Sequence, residues 1–117
     1  MRNYVIIFTT CASKKQAAKI AFSLLQKRLI ACATIISSVE SRFWWKGKID
    51  CAREELLILK TTARNARRVE ADIKRIHSYD VPEVVAVPII AGSREYLKWI
   101  DECVKLKAKS AKLKRKV

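Results

Sequence analysis

Residues 4–10 form a run of aliphatic, β-branched and aromatic side chains that meets a polar break at Cys11, Ala12 and Ser13, the profile of a first strand. Ser13 and Gln16 then have capping-box spacing, which predicts a helix start with Gln16 reaching back to the cap. Ala17, Ile20, Ala21, Leu24 and Leu25 recur at helical spacing and give that helix one apolar face up to about Leu29. Through 31–45, and again through 48–62, the pattern becomes β-branched and aromatic. Between these runs, Gly47 of Trp45-Lys46-Gly47-Lys48 supplies the positive φ of a tight reversal. The result is a hairpin whose strands exceed the usual length of about 5–6 residues and reach beyond their own subunit's core.

Ala66, Val69, Ile73 and Ile76 mark a second amphipathic helix across 65–77, with basic residues on its other faces. Residues 84–87 are apolar and mostly β-branched, which predicts a strand buried on both faces, with Pro82 and Pro88 at its ends. Gly92 and Ser93 end it and cap a third helix, in which Tyr96, Trp99, Ile100 and Cys103 share a face. The order βαββαβ plus a helix predicts an α+β, ferredoxin-like sandwich: an antiparallel four-stranded sheet with two helices on one face. The other sheet face is left uncovered, and a symmetric oligomer satisfies both that face and the overlong hairpin. Trp44 and Trp45 are adjacent, so they point to opposite sides of their strand. One belongs to the core and the other meets solvent or a neighbouring subunit.

At 117 residues, with 50% hydrophobic and 31% charged, the chain fits one globular domain that folds without metal or cofactor. We place this domain at 1–103 and a basic extension at 104–117. No apolar run approaches the ~20 residues of a membrane span. The N-terminal apolar stretch is too short for a signal peptide, so the reading is a cytoplasmic protein without membrane partners. Four cysteines, at 11, 32, 51 and 103, include no C-x-x-C pair and stand beside a single histidine. That pattern excludes a structural zinc site and reads as free buried thiols. The net charge is +14, of which residues 104–117 carry +7 with no acidic residue. Nucleic acid contact is therefore expected only as a nonspecific property of this tail, and deleting residues 105–117 is expected to leave folding and assembly intact.

Five blocks resemble the CutA, or divalent-cation-tolerance, family. Thr9-Thr10 with Ala17 to Ile20, Leu29-Ile30-Ala31-Cys32 and Ile35 is similar to its opening strand–helix–strand signature. The run from Ser41 to Ile49 resembles its aromatic hairpin, S-x-[YF]-x-W-x-G-K-I, and Glu54 to Thr61 its E-x-x-L-x-x-K-T strand. His77 to Glu83 with Pro88-Ile89 resembles H-P-Y-x-V-P-E with its downstream P-I, and Gly92 to Ile100 the closing G-x-x-x-Y-L-x-W-I. Everything except the basic tail is covered. The resemblance implies a homotrimer joined by edge-to-edge strand pairing, a part in tolerance to copper and other divalent cations, and no catalytic reaction. Ala12, Thr34 and Ser78 depart from the family pattern. Thr9 and Ile76 stand where bacterial relatives with proposed copper ligands carry cysteine and histidine.

His77 is consequently the candidate imidazole ligand for Cu(II) or another divalent cation, and Cys11, two residues beyond Thr9, is the candidate thiolate for Cu(I). Weak Cu(II) binding, largely abolished by His77→Ala, and no tight Zn(II) site are the expected behaviour. Glu54, Lys60, Tyr79, Glu83 and Trp45 fall near motif positions and are candidates to line an inter-subunit cleft. No G-x-S-x-G, H-E-x-x-H or P-loop occurs, so the chain is not read as an enzyme. Two other functions fit the same topology. One is a PII-like trimer binding small molecules at subunit clefts; the other is an RNA-binding module, which the lack of aromatics at Glu54 to Leu59 ranks last.

Overall fold

Alternate residues of the first strand, Val5, Ile7, Thr9 and Cys11, are buried, because a strand turns every second side chain to one face. The structure is a computed structural model that describes residues 3–105. Its elements are β1 (Tyr4–Cys11), α1 (Lys14–Gln26), β2 (Cys32–Trp45), β3 (Lys48–Thr62), a 3-10 turn (Ala63–Asn65), α2 (Ala66–Ile76), β4 (Val85–Pro88) and α3 (Arg94–Lys105). The four strands form one antiparallel sheet in the order β2-β3-β1-β4. Val5 and Ile7 of β1 and Leu57 and Leu59 of β3 meet Ile20 and Leu24 of α1 and Val69 and Ile73 of α2 in a single core. Truncating a core leucine such as Leu57 costs about 2–5 kcal/mol on general grounds.

At the hairpin turn Lys46 and Gly47 both have positive φ, 51° and 80°, the pair of left-handed residues that a two-residue turn between twisted strands requires. β3 has 15 residues, and at about 3.3 Å per residue it spans roughly 50 Å. That length accounts for the molecule's longest dimension of 49 Å. Both Trp44 (73%) and Trp45 (57%) are exposed in the single chain, because this end of the hairpin projects past everything that could cover it. The expectation that one of them is core does not hold.

Other expectations also change. β4 is an edge strand paired only with β1, and all four of its residues are exposed. Its apolar run therefore does not mark a strand buried on both faces. Ser13 caps α1 by accepting from the Gln16 N–H at 3.1 Å, but the Gln16 side chain accepts instead from Ser78 N–H at 2.8 Å, tying the helix start to the loop after α2. Of the four free cysteines only Cys11 is buried, and Cys51 is exposed. The sheet face opposite α1 and α2 is partly covered by α3. Tyr4, which points away from the core face, donates through its hydroxyl to Asp101 at 2.8 Å, and Ile100 is fully buried. α3 continues past Cys103 to Lys105, and residues 106–117, most of the predicted basic extension, lie outside the described residues.

α1 and α2 are clasped together by one buried carboxylate. Asp72 accepts from Ser23 Oγ at 2.9 Å, from Lys27 Nζ and from Arg75 Nη2 at 2.8 Å. Burial alone would raise its pKa, but the bonds from Lys27, Arg75 and Ser23 outweigh that cost and hold it below the usual carboxylate value. A carboxyl with a lowered folded pKa contributes stability above its unfolded pKa of about 3.9 and loses it as pH falls through the folded value. Asp72→Asn should therefore destabilise the protein at neutral pH by about 1–3 kcal/mol and flatten the loss of stability below about pH 4. Chemical denaturation of both proteins from pH 7 down to acid measures this, and an unchanged acid limb would refute it.

Candidate functional site

The sequence candidates converge where the end of β1, the loop after α2 and the middle of β3 meet. β2 pairs Ile36 with Leu56 but Val39 with Glu54, so a bulge intervenes, and Ser38 adopts a φ of 59° within it. The bulge turns the Ser38 N–H toward Glu55 Oε2 at 3.4 Å, and both Glu54 and Glu55 are buried.

His77 closes α2, its N–H donating to the Ile73 carbonyl at 2.8 Å before the chain turns to extended backbone. Its ring is buried. Nδ1 accepts from the Tyr79 N–H at 3.0 Å, so Nε2 carries the proton and donates to the Thr10 carbonyl at 2.7 Å. Tyr79 packs on this ring, centroids 4.7 Å apart, and its hydroxyl donates to Glu54 Oε2 at 2.7 Å. A continuous relay thus runs from the Thr10 carbonyl through His77 and Tyr79 to Glu54. Burial, reinforced by the bond to Glu54 and its charge, pushes the Tyr79 phenol up to about 12.

Cys11 lies beside this relay, fully buried, its thiol directed at the Ser13 carbonyl at 3.7 Å. Burial pushes its pKa up, and the charges of Glu55 and Glu54 add to the effect. With both imidazole nitrogens engaged in hydrogen bonds and the thiol buried against the Ser13 carbonyl, His77 and Cys11 present no free donor to a metal ion within one chain. Among the described residues no group of three or more His, Cys, Asp or Glu side chains is placed to hold one. Of the two residues at which the resemblance implies ligands in bacterial relatives, Thr9 is buried with its hydroxyl unpartnered, and Ile76 packs against the core.

Within one chain Glu54, Tyr79, His77 and Cys11 come together, and the other candidates for the inter-subunit cleft stand apart from them. Lys60 lies six residues further along β3, about 20 Å away at the strand rise, while Trp45 is at the hairpin turn and Glu83 is exposed in the loop before β4. An open cleft of about 380 Å³ lies elsewhere, lined by Tyr4, Gly92, Arg94, Leu97, Lys98 and Asp101, and contains none of them. Sequence reasoning missed Glu55 and the Thr10 carbonyl. Strand alternation from Glu55 to Thr61 places Glu55 on the same face as Leu57, Leu59 and Thr61, and that alternation was the signal that could have exposed it.

Raised phenol and thiol pKa values mean stability that is complete below the unfolded values and is lost as pH rises through the folded ones. Tyr79→Phe should remove the phenolate step near pH 12 from an ultraviolet titration and leave Glu54 buried without its donor, at a cost of about 1–3 kcal/mol at neutral pH. A titration unchanged by the substitution would show that Tyr79 is not the perturbed phenol.

The chain matches the family model for the CutA1 divalent ion tolerance protein over residues 5–103. It is 42% identical over 104 residues to the divalent-cation tolerance protein CutA of Archaeoglobus fulgidus, covering 89% of this chain and 99% of that one. It is 38% identical to the protein of the same description from Thermus thermophilus, covering 83% and 94%. The rice chloroplastic protein CutA 1 is 38% identical over 82% of this chain, which spans 54% of that protein's length. The fold superposes on the solved Archaeoglobus fulgidus structure with a TM-score of 0.84, covering 86% of this chain and 98% of that one, and on CutA1 from Oryza sativa with a TM-score of 0.85 at 35% identity, covering 87% and 94%. Matched in sequence from β1 through α3 and in fold, the chain belongs to the CutA1 divalent ion tolerance family.

Proposed function

We propose that the protein works in divalent-cation tolerance as a homotrimer, and that it takes up Cu(II) or another divalent cation weakly, through carboxylate oxygens, without an imidazole–thiolate site inside one subunit. The observation that carries the assembly is the apolar surface of the long hairpin: Ile35, Ile36, Phe43, Trp44, Trp45 and Ile49 are all 38% or more exposed in the single chain. A surface of this kind is a protein–protein contact in waiting. The two edge strands, β2 and β4, lie on opposite sides of the sheet, so one subunit's β2 edge can meet the next subunit's β4 edge. Such head-to-tail pairing closes into a ring, where a two-fold dimer would pair like with like. Three subunits is the number that the family resemblance implies.

The metal half of the proposal follows from the donors. A cation at His77 would have to displace the Tyr79 N–H from Nδ1 or the Thr10 carbonyl from Nε2, and the exposed carboxylates next to it in sequence are those of Asp80 and Glu83. Oxygen-only sites hold Cu(II) less well than imidazole or thiolate sites.

Sedimentation equilibrium at low micromolar concentration should give three times the 13.4 kDa chain mass, and a monomer mass would refute the assembly. Isothermal titration with Cu(II) should give weak binding. His77→Ala should lower the thermal midpoint, because it leaves the Thr10 carbonyl without its donor, and should change Cu(II) affinity little. Loss of Cu(II) binding with the midpoint intact would return His77 to the role of ligand.

A further inference from the structure

The positive charge of the folded domain has a location. Residues 13–28 and 63–76, the two core-covering helices with their flanks, hold ten basic residues against Glu70 and Asp72, a net +8. The rest of residues 1–103 holds eight basic and nine acidic residues, a net −1. The whole excess of the domain therefore sits on one layer. Within it Asp72 pairs with Lys27 and Arg75, and Glu70 pairs with Lys74. Lys14, Lys15, Lys19, Arg64, Arg67 and Arg68 are exposed and have no carboxylate partner among the described residues.

We infer that the outer surface of α1 and α2 is a phosphodiester-binding face, which holds RNA or DNA by its backbone. Ordinary surfaces intersperse charges of both signs, and a layer of unpaired like charges repels itself unless a polyanion covers it. Lys15 and Lys19 stand one helical turn apart on α1, and Arg64, Arg67 and Arg68 have i, i+3, i+4 spacing across the start of α2, so each set forms a row on a rigid element. The unpaired cations on α2's side, Arg64, Arg67 and Arg68, are all arginines, whose planar forks match phosphate oxygens two at a time. Phe22, three residues beyond Lys19, is 65% exposed and offers a stacking surface for a base.

The described end of α3 lies beside this face. Arg28 Nη1 donates to the Cys103 carbonyl at 3.0 Å, so α3 ends beside the end of α1. Residues 104–117 add seven cations and no acid to the sequence. The exposed apolar surface lies on the hairpin and β4, so an assembly built there leaves the helical face open. Phe22 and Leu25 are the exposed large apolar residues on α1, too little to insert into a bilayer, and the charge complement of the face is a phosphate chain. Nothing here reads base edges, so binding is independent of sequence and steeply salt-dependent.

The test titrates the full-length protein against a labelled single-stranded RNA, a duplex DNA and phosphatidylserine vesicles across a salt series. Wild type should bind one or both nucleic acids, and the pair of arms identifies which backbone is preferred. Arg64→Gln with Arg67→Gln and Arg68→Gln should weaken binding about tenfold or more at low salt and reduce the slope of log affinity against log salt by about 2–3, one lost phosphate contact per arginine. The thermal midpoint should not move, since all three side chains are exposed. The inference is overturned if neither nucleic acid binds at low salt, or if vesicles alone bind. It also fails if the triple variant binds like wild type while glutamine at Lys112, Lys114 and Lys116 removes binding, which would assign the contact to the tail alone.

Discussion

A mismatch of lengths governs this structure. A 15-residue strand extends about 50 Å at 3.3 Å per residue, whereas helices of 13 and 11 residues extend about 20 Å and about 17 Å at 1.5 Å per residue. Two such helices can cover only the end of the β2–β3 hairpin that pairs with β1. Burial along β3 follows this limit: the residues from Glu54 onward alternate into the core, and Lys48 to Cys51 are exposed. The bulge in β2 falls at this boundary, and so does the His77–Tyr79–Glu54 relay. The candidate site therefore marks the place where the subunit's own core stops covering its own sheet.

The relay's chemistry suits that position. Strand ends and helix ends leave backbone groups without partners, and a buried one is costly unless satisfied. His77 links the Thr10 carbonyl at the end of β1 to the Tyr79 N–H beyond α2, and Tyr79 links onward to β3. Both nitrogens of the single histidine thus serve the fold. A histidine that the sequence offers as a ligand is, in the folded chain, a connector between three elements.

The sequence revealed most where periodicity and burial agreed. The helices α1 and α2, the hairpin turn at Gly47 and the end of β4 at Pro88 all lay close to where apolar spacing, glycine and proline placed them. It revealed less where one pattern has two physical origins. An apolar run such as residues 84–87 fits either a strand covered on both faces or an edge strand that another chain will cover, and here the strand is an edge. Asp72 shows the opposite failure. It stands at a core-facing position between Val69 and Ile76, where an acid reads as an exception, and it is the buried clasp between the helices. The convergence of Glu54, Cys11 and His77 was not legible at all, because it depends on the register of β1 against β3 and on a bulge that no local pattern specifies.

The register also sets an order of events as the chain is made. β2 and β3 are neighbours in sequence and can close as soon as both exist, but β1 pairs Tyr4 with Thr62 and Val5 with Pro88. The first strand synthesised must wait for partners that arrive last. Meanwhile the segment YVIIFTTC, uncharged and rich in β-branched and aromatic residues, has the composition from which intermolecular β-stacks grow. Long-range pairing of this kind slows folding and prolongs the exposure of unpaired strands. In a crowded nascent state, the hazard of misassembly in this protein is concentrated at its N-terminal strand, and the early closure of the β2–β3 hairpin shortens the wait by presenting β3 as a ready edge.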